Sequence, residues 1–377
     1  MILDTLLGVN EAFDYGSELD GVESIPLKEG EDPLDAMYRI TMENEQNFNN
    51  IVNTIALSEV NYMRENGTTD VVYEAVDIYK IVDTVTTAIE NTWAKLKAVY
   101  ESVMDKIDDL IHQDNKFVKK YKEDEYTYSK VKVTVKKIHT FANGNFFTGN
   151  GSKGPEIAQS ACDSAFDPFN KKITKMLIYV EDASVNGRYM GKLEKEGNKI
   201  RTTGKEVKDF KTEWAKVKAT MLDNACNEIV EGSTRATFST KAVEYFTNDS
   251  AQTITGSEAY DMVSNGNLTK TTLRKQRDSA KKAYSNIIKE TKALKRFNKK
   301  NKNASTVLGI KIEYARMSSS LISEVSRVLI RIAVKNFNAY RAVLRSIVKG
   351  KESDTETNES VTYYRSSDGE SLICNII

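Results

Sequence analysis

A chain of 377 residues has ample length for a sizeable core, and length alone suggests two or three packed units. Its 54 acidic and 54 basic side chains cancel, so the molecule as a whole carries no charge that would steer it to nucleic acid or membrane. The three cysteines, Cys162, Cys226 and Cys374, are odd in number, far apart and in no ligand spacing; this speaks against a disulfide framework and a zinc site, and fits a reducing compartment.

The neutral total hides an asymmetry. Met1 to Glu74 holds 16 carboxylates against three basic side chains, whereas Asn267 to Lys349 holds 21 Lys and Arg against four acids. Either these ends are solvated faces or meet each other in the fold, or the basic end contacts nucleic acid. The start, Met-Ile-Leu-Asp-Thr-Leu-Leu-Gly, has no basic leader region, and no apolar run reaches the roughly 18 residues of a membrane span. The expectation is a soluble protein of cytosolic origin.

Residues 1–33 form an acidic segment that ends in Asp32-Pro33, a helix cap followed by proline at the first helical position. From Leu34 to Glu65 the apolar set Leu34, Met37, Tyr38, Phe48, Ile51, Val52 and Ile55 recurs at helical spacing, and Asn66-Gly67 supplies a stop. Val82, Val85, Ile89, Trp93, Leu96, Tyr100, Val103, Ile107 and Leu110 then step by three and four along one face. That predicts an amphipathic helix of about eight or nine turns.

Between Ser129 and Phe141 the period becomes two, with Val131, Val133 and Val135 set against Lys130, Lys132, Thr134 and Lys136, which predicts a half-buried strand. Residues 143–155 are so rich in Gly and Asn that they read as a mobile surface loop between a first unit, 34–142, and a second, 156–350. Within that loop Gly149 to Gly154 matches G-x-G-x-x-G. The strand before it is Lys-rich and no βαβ alternation follows, so a disordered or partner-facing loop is favoured over a phosphate cradle.

Shorter helices are expected at Glu156–Phe166, Phe169–Asp182, Thr203–Glu231 and Ser239–Phe246. Two long ones follow: a basic helix from Thr271 to Phe297, and Ser305 to Lys349 with a stripe running from Leu308 through Leu321, Val325, Val328 and Ile332 to Ile347. Their lengths suit an antiparallel hairpin. Residues 351–377 read as a polar linker and a terminal β-hairpin, Val361 to Arg365 and Ser371 to Ile377; so apolar an end must fold back on the body or dock on a neighbouring subunit. The fold class is mainly α: long amphipathic helices, a small β element near 129–141 and a C-terminal hairpin.

No catalytic motif is present. His112 and His139 are the only histidines and stand apart from any H-E-x-x-H or acid cluster. Nothing implies a cofactor or a metal, and Trp93 and Trp214 read as core aromatics. The candidate contact residues are the cations of the basic helix, Arg274, Lys275, Arg277, Lys281, Lys282, Lys292, Lys295 and Arg296, which would bind phosphates without reading sequence or else contact a protein partner.

The stretch from Glu43 to about Phe141 carries an Asn/Glu-rich helix, an Asn-Gly-Thr turn leading to Val-Tyr-Glu-Ala75, the run Trp93-Ala-Lys-Leu-Lys-Ala-Val-Tyr100, and Lys116-Phe-Val-Lys-Lys-Tyr121 before a Lys-rich strand. This pattern, over roughly a quarter of the chain, resembles internal or capsid-associated virion proteins of large tailed bacteriophages. The resemblance implies a non-enzymatic structural protein, present in several copies, assembled in the host cytoplasm and working through contacts with other virion proteins and with itself. Phage head proteins are often cut after glutamate, so it also implies a processing junction at Glu74/Ala75 that would release the acidic segment.

Overall fold

The computed structural model describes residues 19, 21–66, 78–135, 141–185, 203–248, 250–296, 304–350, 361–365 and 371–376. In chain order these form α1 (Pro33–Asn66), α2 (Ile78–Glu123), α3 (Glu125–Lys130), β1 (Lys132–Val135), α4 (Gly144–Thr148), α5 (Asn150–Val185), α6 (Thr203–Ile229), α7 (Phe238–Phe246), β2 (Gln252–Thr255), α8 (Gly256–Ser264), α9 (Asn267–Lys292), α10 (Ala304–Lys349), β3 (Val361–Arg365) and β4 (Ser371–Ile376). The chain is mainly α, as its periodicity predicts.

Helix α1 starts at the expected cap: Asp32 Oδ1 accepts from the Leu34 N–H at 2.9 Å. Its apolar stripe buries Met37, Ile40 and Phe48, but Tyr38 points outward at 59% exposure. Helix α2 runs past the predicted turns to Glu123, because Ile111, Phe117 and Tyr121 continue the buried face beyond Leu110. At 1.5 Å per residue its 46 residues span about 69 Å.

Helix α10 is the axis of the fold. It packs against α1, α2, α5, α6, α7, α8 and α9, so it is buried on far more than the single stripe its aliphatic residues draw. Ser318, Ser319, Ser320, Ser323 and Ser326 are all buried with them. Small side chains let neighbouring helices approach, and the hydroxyls of Ser319, Ser320 and Ser323 bond polar groups of those helices. Asn44 of α1 donates to Ser319 Oγ at 3.0 Å while its Oδ1 accepts from Thr92 of α2 at 3.0 Å. Tyr284 of α9 donates to the Ser319 carbonyl at 3.1 Å and lies 2.8 Å from Ser323 Oγ. One polar layer therefore ties four helices together.

The pairing of partners fixes directions. Tyr284 meets Ser319 and Ser323, while Gly266 at the start of α9 lies against Phe337; α9 and α10 are the antiparallel pair expected from the sequence. Helices α2 and α10 run parallel, with Asp114 beside Arg341 and Phe117 beside Arg345 and Lys349.

The Gly/Asn-rich stretch 143–155, expected to be a surface loop, is largely helical, with Phe146, Gly151, Ser152, Gly154 and Pro155 buried and Gly144, Asn145, Thr148 and Lys153 exposed. Asn143 caps α4 by accepting from the Asn145 N–H, and α5 begins at Asn150. Its glycines serve close approach: a Cβ on Gly151 would lie 2.5 Å from Phe146 Cα, and one on Gly154 would lie 2.7 Å from Leu329 Cδ1. No phosphate cradle results from the G-x-G-x-x-G match. Pro155 removes the N–H that would bond the Gly151 carbonyl, and α9 supplies the missing partners. Gln276 Nε2 donates to the Gly151 carbonyl at 2.8 Å, and the Glu156 N–H donates to Ser279 Oγ at 2.9 Å.

Pro168 likewise fails to break α5, where two shorter helices were expected. Pro168 and Ser164, whose carbonyl it leaves unpaired, are both exposed, so water takes that bond. The larger core accordingly draws on both sides of the expected boundary, from Leu19 and α1 through to Phe337 of α10.

A second core closes the end where α2 and α10 finish, with Phe117, Tyr121, Val133, Val135, Ile254, Val343 and Ile347. Over it lies a four-stranded sheet in the order β2-β1-β4-β3. Strand β1 is shorter than 129–141 because α3 takes Glu125–Lys130; it alternates as predicted, with Val133 and Val135 buried and Lys132 exposed. It pairs antiparallel with β2, placing Val133 opposite Ile254, and parallel with β4, placing Val133 opposite Leu372. The C-terminal hairpin, in which Tyr363 lies opposite Cys374, thus folds back on the body. At the junction of β2 and α8 only glycine fits, since a Cβ on Gly256 would lie 2.0 Å from the Tyr128 carbonyl oxygen.

Candidate interaction surfaces and buried polar clusters

The cations of α9 are largely spoken for. Lys270 pairs with Asp108 at 2.7 Å, Lys292 with Glu90 at 3.8 Å, and Lys295 with Asp83, all on α2. Lys282 lies 3.8 Å from Glu156 of α5, and Arg277 lies 3.1 Å from its neighbour Asp278. Lys281 is half-buried, and Arg296 ends the 3-10 turn Ala293–Arg296 that closes the helix. Of the eight candidate residues, Arg274 and Lys275 point into solvent without a carboxylate partner among the described residues; Lys289 joins them on that face.

Among the described residues, the acids of the N-terminal end pair away from this helix. Asp32 pairs with Lys106 and Glu43 with Lys95, both at 2.7 Å on α2, while Glu45 lies 3.6 Å from Arg235. Charge therefore alternates through the layers: α1 acids on α2 lysines, α2 acids on α9 lysines. Glu74, Ala75 and His139 lie outside the described residues, and His112 is exposed beside Asn115 on α2.

Two buried clusters escaped the sequence reading. In the first, Asp114 of α2 is fully buried between two arginines of α10, with Arg341 Nε at 2.6 Å from Oδ2 and Arg345 Nε at 2.7 Å from Oδ1. Arg341 is nearly buried as well, and also donates to Asn338 Oδ1 at 3.0 Å.

The second cluster lies between α5, α9 and α10. Asp163 accepts from Tyr314 and from Gln159, and Gln159 Oε1 accepts from Asn286 at 3.1 Å. The ring of Phe166 stacks on Tyr314 at 4.1 Å, and Trp214 packs against Phe166 and Phe169. Burial raises the Asp163 carboxyl above its ordinary range and the nearby charges of Glu290 and Asp167 add to this, against the lowering effect of its two hydrogen bonds. A carboxyl whose folded value is raised loses stability as pH rises from 3.8 through that value. The stability of Asp163→Asn relative to the native protein should therefore rise as the pH is raised from about 4 through the range in which the folded carboxyl ionises. Urea midpoints measured across that range check this, and a constant difference would show that the carboxyl titrates alike in both states.

Burial pushes the Cys162 and Cys226 thiols up to about 12, far from a reactive thiolate. Among the described residues no group of three or more His, Cys, Asp or Glu is placed to hold a metal ion, and no helix is long and apolar enough to cross a membrane. A groove of about 840 Å³ between α5 and α6 is lined by Ser160, Ala161, Ser164 and Ala165, together with Lys153 and Lys282. No protein-family model, curated protein or solved structure matches this chain.

Proposed function

We propose that this protein is a structural component of a bacteriophage virion, associated with head, neck or tail, that acts through packing against other virion proteins and further copies of itself. The observation that carries the reading is the burial of α10 among seven other helices, locked by hydrogen-bonded serines. A long helix so enclosed makes a stiff body, and its buried polar groups hold helices together. In such a body the work falls to the outer surface. Assembly in the host cytoplasm follows from the same reading.

A second reading, a DNA-associated internal or ejected protein using the basic C-terminal helices, draws on the outward Arg274, Lys275 and Lys289. It is weakened by the pairing of Lys270, Lys282, Lys292 and Lys295 within the fold. The junction at Glu74/Ala75 belongs to the first reading. A cut there would free a segment whose α1 is seated in the main core through Met37, Ile40 and Phe48 and bound to Ser319 through Asn44. Cleavage would thus leave α1 bound unless the core reorganised.

Light scattering combined with absorbance at two wavelengths, in low and moderate salt, tests the assignment. A defined oligomer that persists at moderate salt, whether or not nucleic acid is bound at low salt, is expected. A protein that is monomeric at every concentration and absent from purified particles would overturn it.

A further inference from the structure

We infer that the end of the molecule where α2 and α10 finish side by side is a surface for the phosphodiester backbone of nucleic acid, distinct from the basic face of α9. The Phe117 ring there is surrounded by cations from both helices: Lys116 Nζ at 5.0 Å, Arg345 Cζ at 5.6 Å and Lys349 Nζ at 6.0 Å from its centroid. Lys116, Lys119 and Lys349 are exposed, and none has a carboxylate partner among the described residues. This separates them from Lys270, Lys282 and Lys292 of α9, which the fold pairs with acids.

Asp114 supplies the organisation. A single buried carboxylate holds two arginines, so the trio keeps a net positive charge, and Arg345 is fixed with its guanidinium against Phe117. The positive surface continues past α2, where Lys130 lies 3.5 Å over the ring of Tyr126, itself 76% exposed, and Lys132 is exposed on β1. Of the opposing acids, Glu125 is bound to Lys122 at 2.8 Å, and Glu123 stands exposed.

Cations in the last turn of a helix also answer its dipole, which accounts for Lys120, Lys122 and Lys349. It does not account for Lys116, two turns earlier. Charges spread along a helix end, an adjoining helix and a strand suit a linear polyanion better than a small phosphate. The exposed Tyr126 with its lysine adds a π face and a cation of the kind that bases stack on.

The test uses the full chain and a labelled mixed-sequence DNA duplex of about 30 base pairs, followed by anisotropy from about 50 to 200 mM salt. The triple variant Lys116→Gln, Lys119→Gln, Lys349→Gln should bind more weakly and lower the slope of log K against log salt by about 2.7, or 0.9 per lost contact. The matching Lys→Arg triple should retain binding. The triple Arg274→Gln, Lys275→Gln, Lys289→Gln should stay within about twofold of the native protein. Equal urea midpoints establish that all three variants fold, the charge-preserving set serving if the glutamine set does not. No binding at low salt, a loss carried by the α9 triple instead, or binding to phosphatidylserine vesicles but not to DNA would each overturn the inference. Oligomeric state, read separately by light scattering, decides the structural role independently of this result.

Discussion

Asp114→Ala is expected to destabilise the protein by about 3–5 kcal/mol, the cost of removing one partner from a buried ion pair. The carboxylate is fully buried and accepts from Arg341 and Arg345 at 2.6 and 2.7 Å. Without it, Arg341, only 8% exposed, keeps Asn338 Oδ1 at 3.0 Å and the distant Leu110 carbonyl at 3.5 Å as partners. Those are neutral acceptors for a charge that water cannot reach. Urea unfolding measures the loss. Because breaking a buried pair costs more than replacing both members, Asp114→Leu combined with Arg341→Met should recover much of it. A loss under about 1 kcal/mol would mean that Arg341 turns out to solvent, and that the α2–α10 junction is looser than its geometry indicates.

The fold was legible wherever one face of an element is buried and the other is wet. The stripe of α2 from Val82 to Ile107 reads directly, as do the Asp32-Pro33 start of α1 and the alternation of Val133 and Val135. Reading failed where local composition and tertiary use diverge. Gly151, Gly154 and Pro155 have the chemistry of a loop, yet the glycines admit Phe146 and Leu329, and Gln276 and Ser279 replace the backbone bonds that proline removes. No local rule reveals a partner more than 100 residues away.

The buried clusters did leave a trace. Asp114 stands at helical spacing between Ile111 and Phe117, on the apolar face of α2, and Ser319, Ser323 and Ser326 interrupt the stripe of α10. A polar residue on a buried face must find a partner. That rule tells which positions are polar knots and leaves open that Arg341 or Tyr284 would tie them. The charge of the basic helix is only partly legible for the converse reason: a count of lysines does not reveal which already face Asp83, Glu90 and Asp108.

Removing residues 351–377 should lower the unfolding midpoint and convert the protein into a species that self-associates with rising concentration. Strand β4 pairs with all four residues of β1, from Lys132–Ser371 to Val135–Cys374, so its loss leaves one side of β1 without backbone partners. At about 1 kcal/mol net per backbone hydrogen bond, the direct loss is on the order of 3 kcal/mol. The larger consequence is topological. With β4 gone, β1 becomes an edge strand beside β2, over a core containing Val133 and Val135, and an open edge accepts any strand offered to it. Sedimentation of the truncated chain at several concentrations measures this, and addition of a peptide spanning residues 361–377 should restore the native species by occupying the same edge. If the truncated protein keeps the native midpoint and sediments as one species at all concentrations, the hairpin is an appendage. If it associates and the peptide reverses it, the edge of β1 is a strand-accepting joint that a neighbouring subunit's hairpin could fill as well as the chain's own.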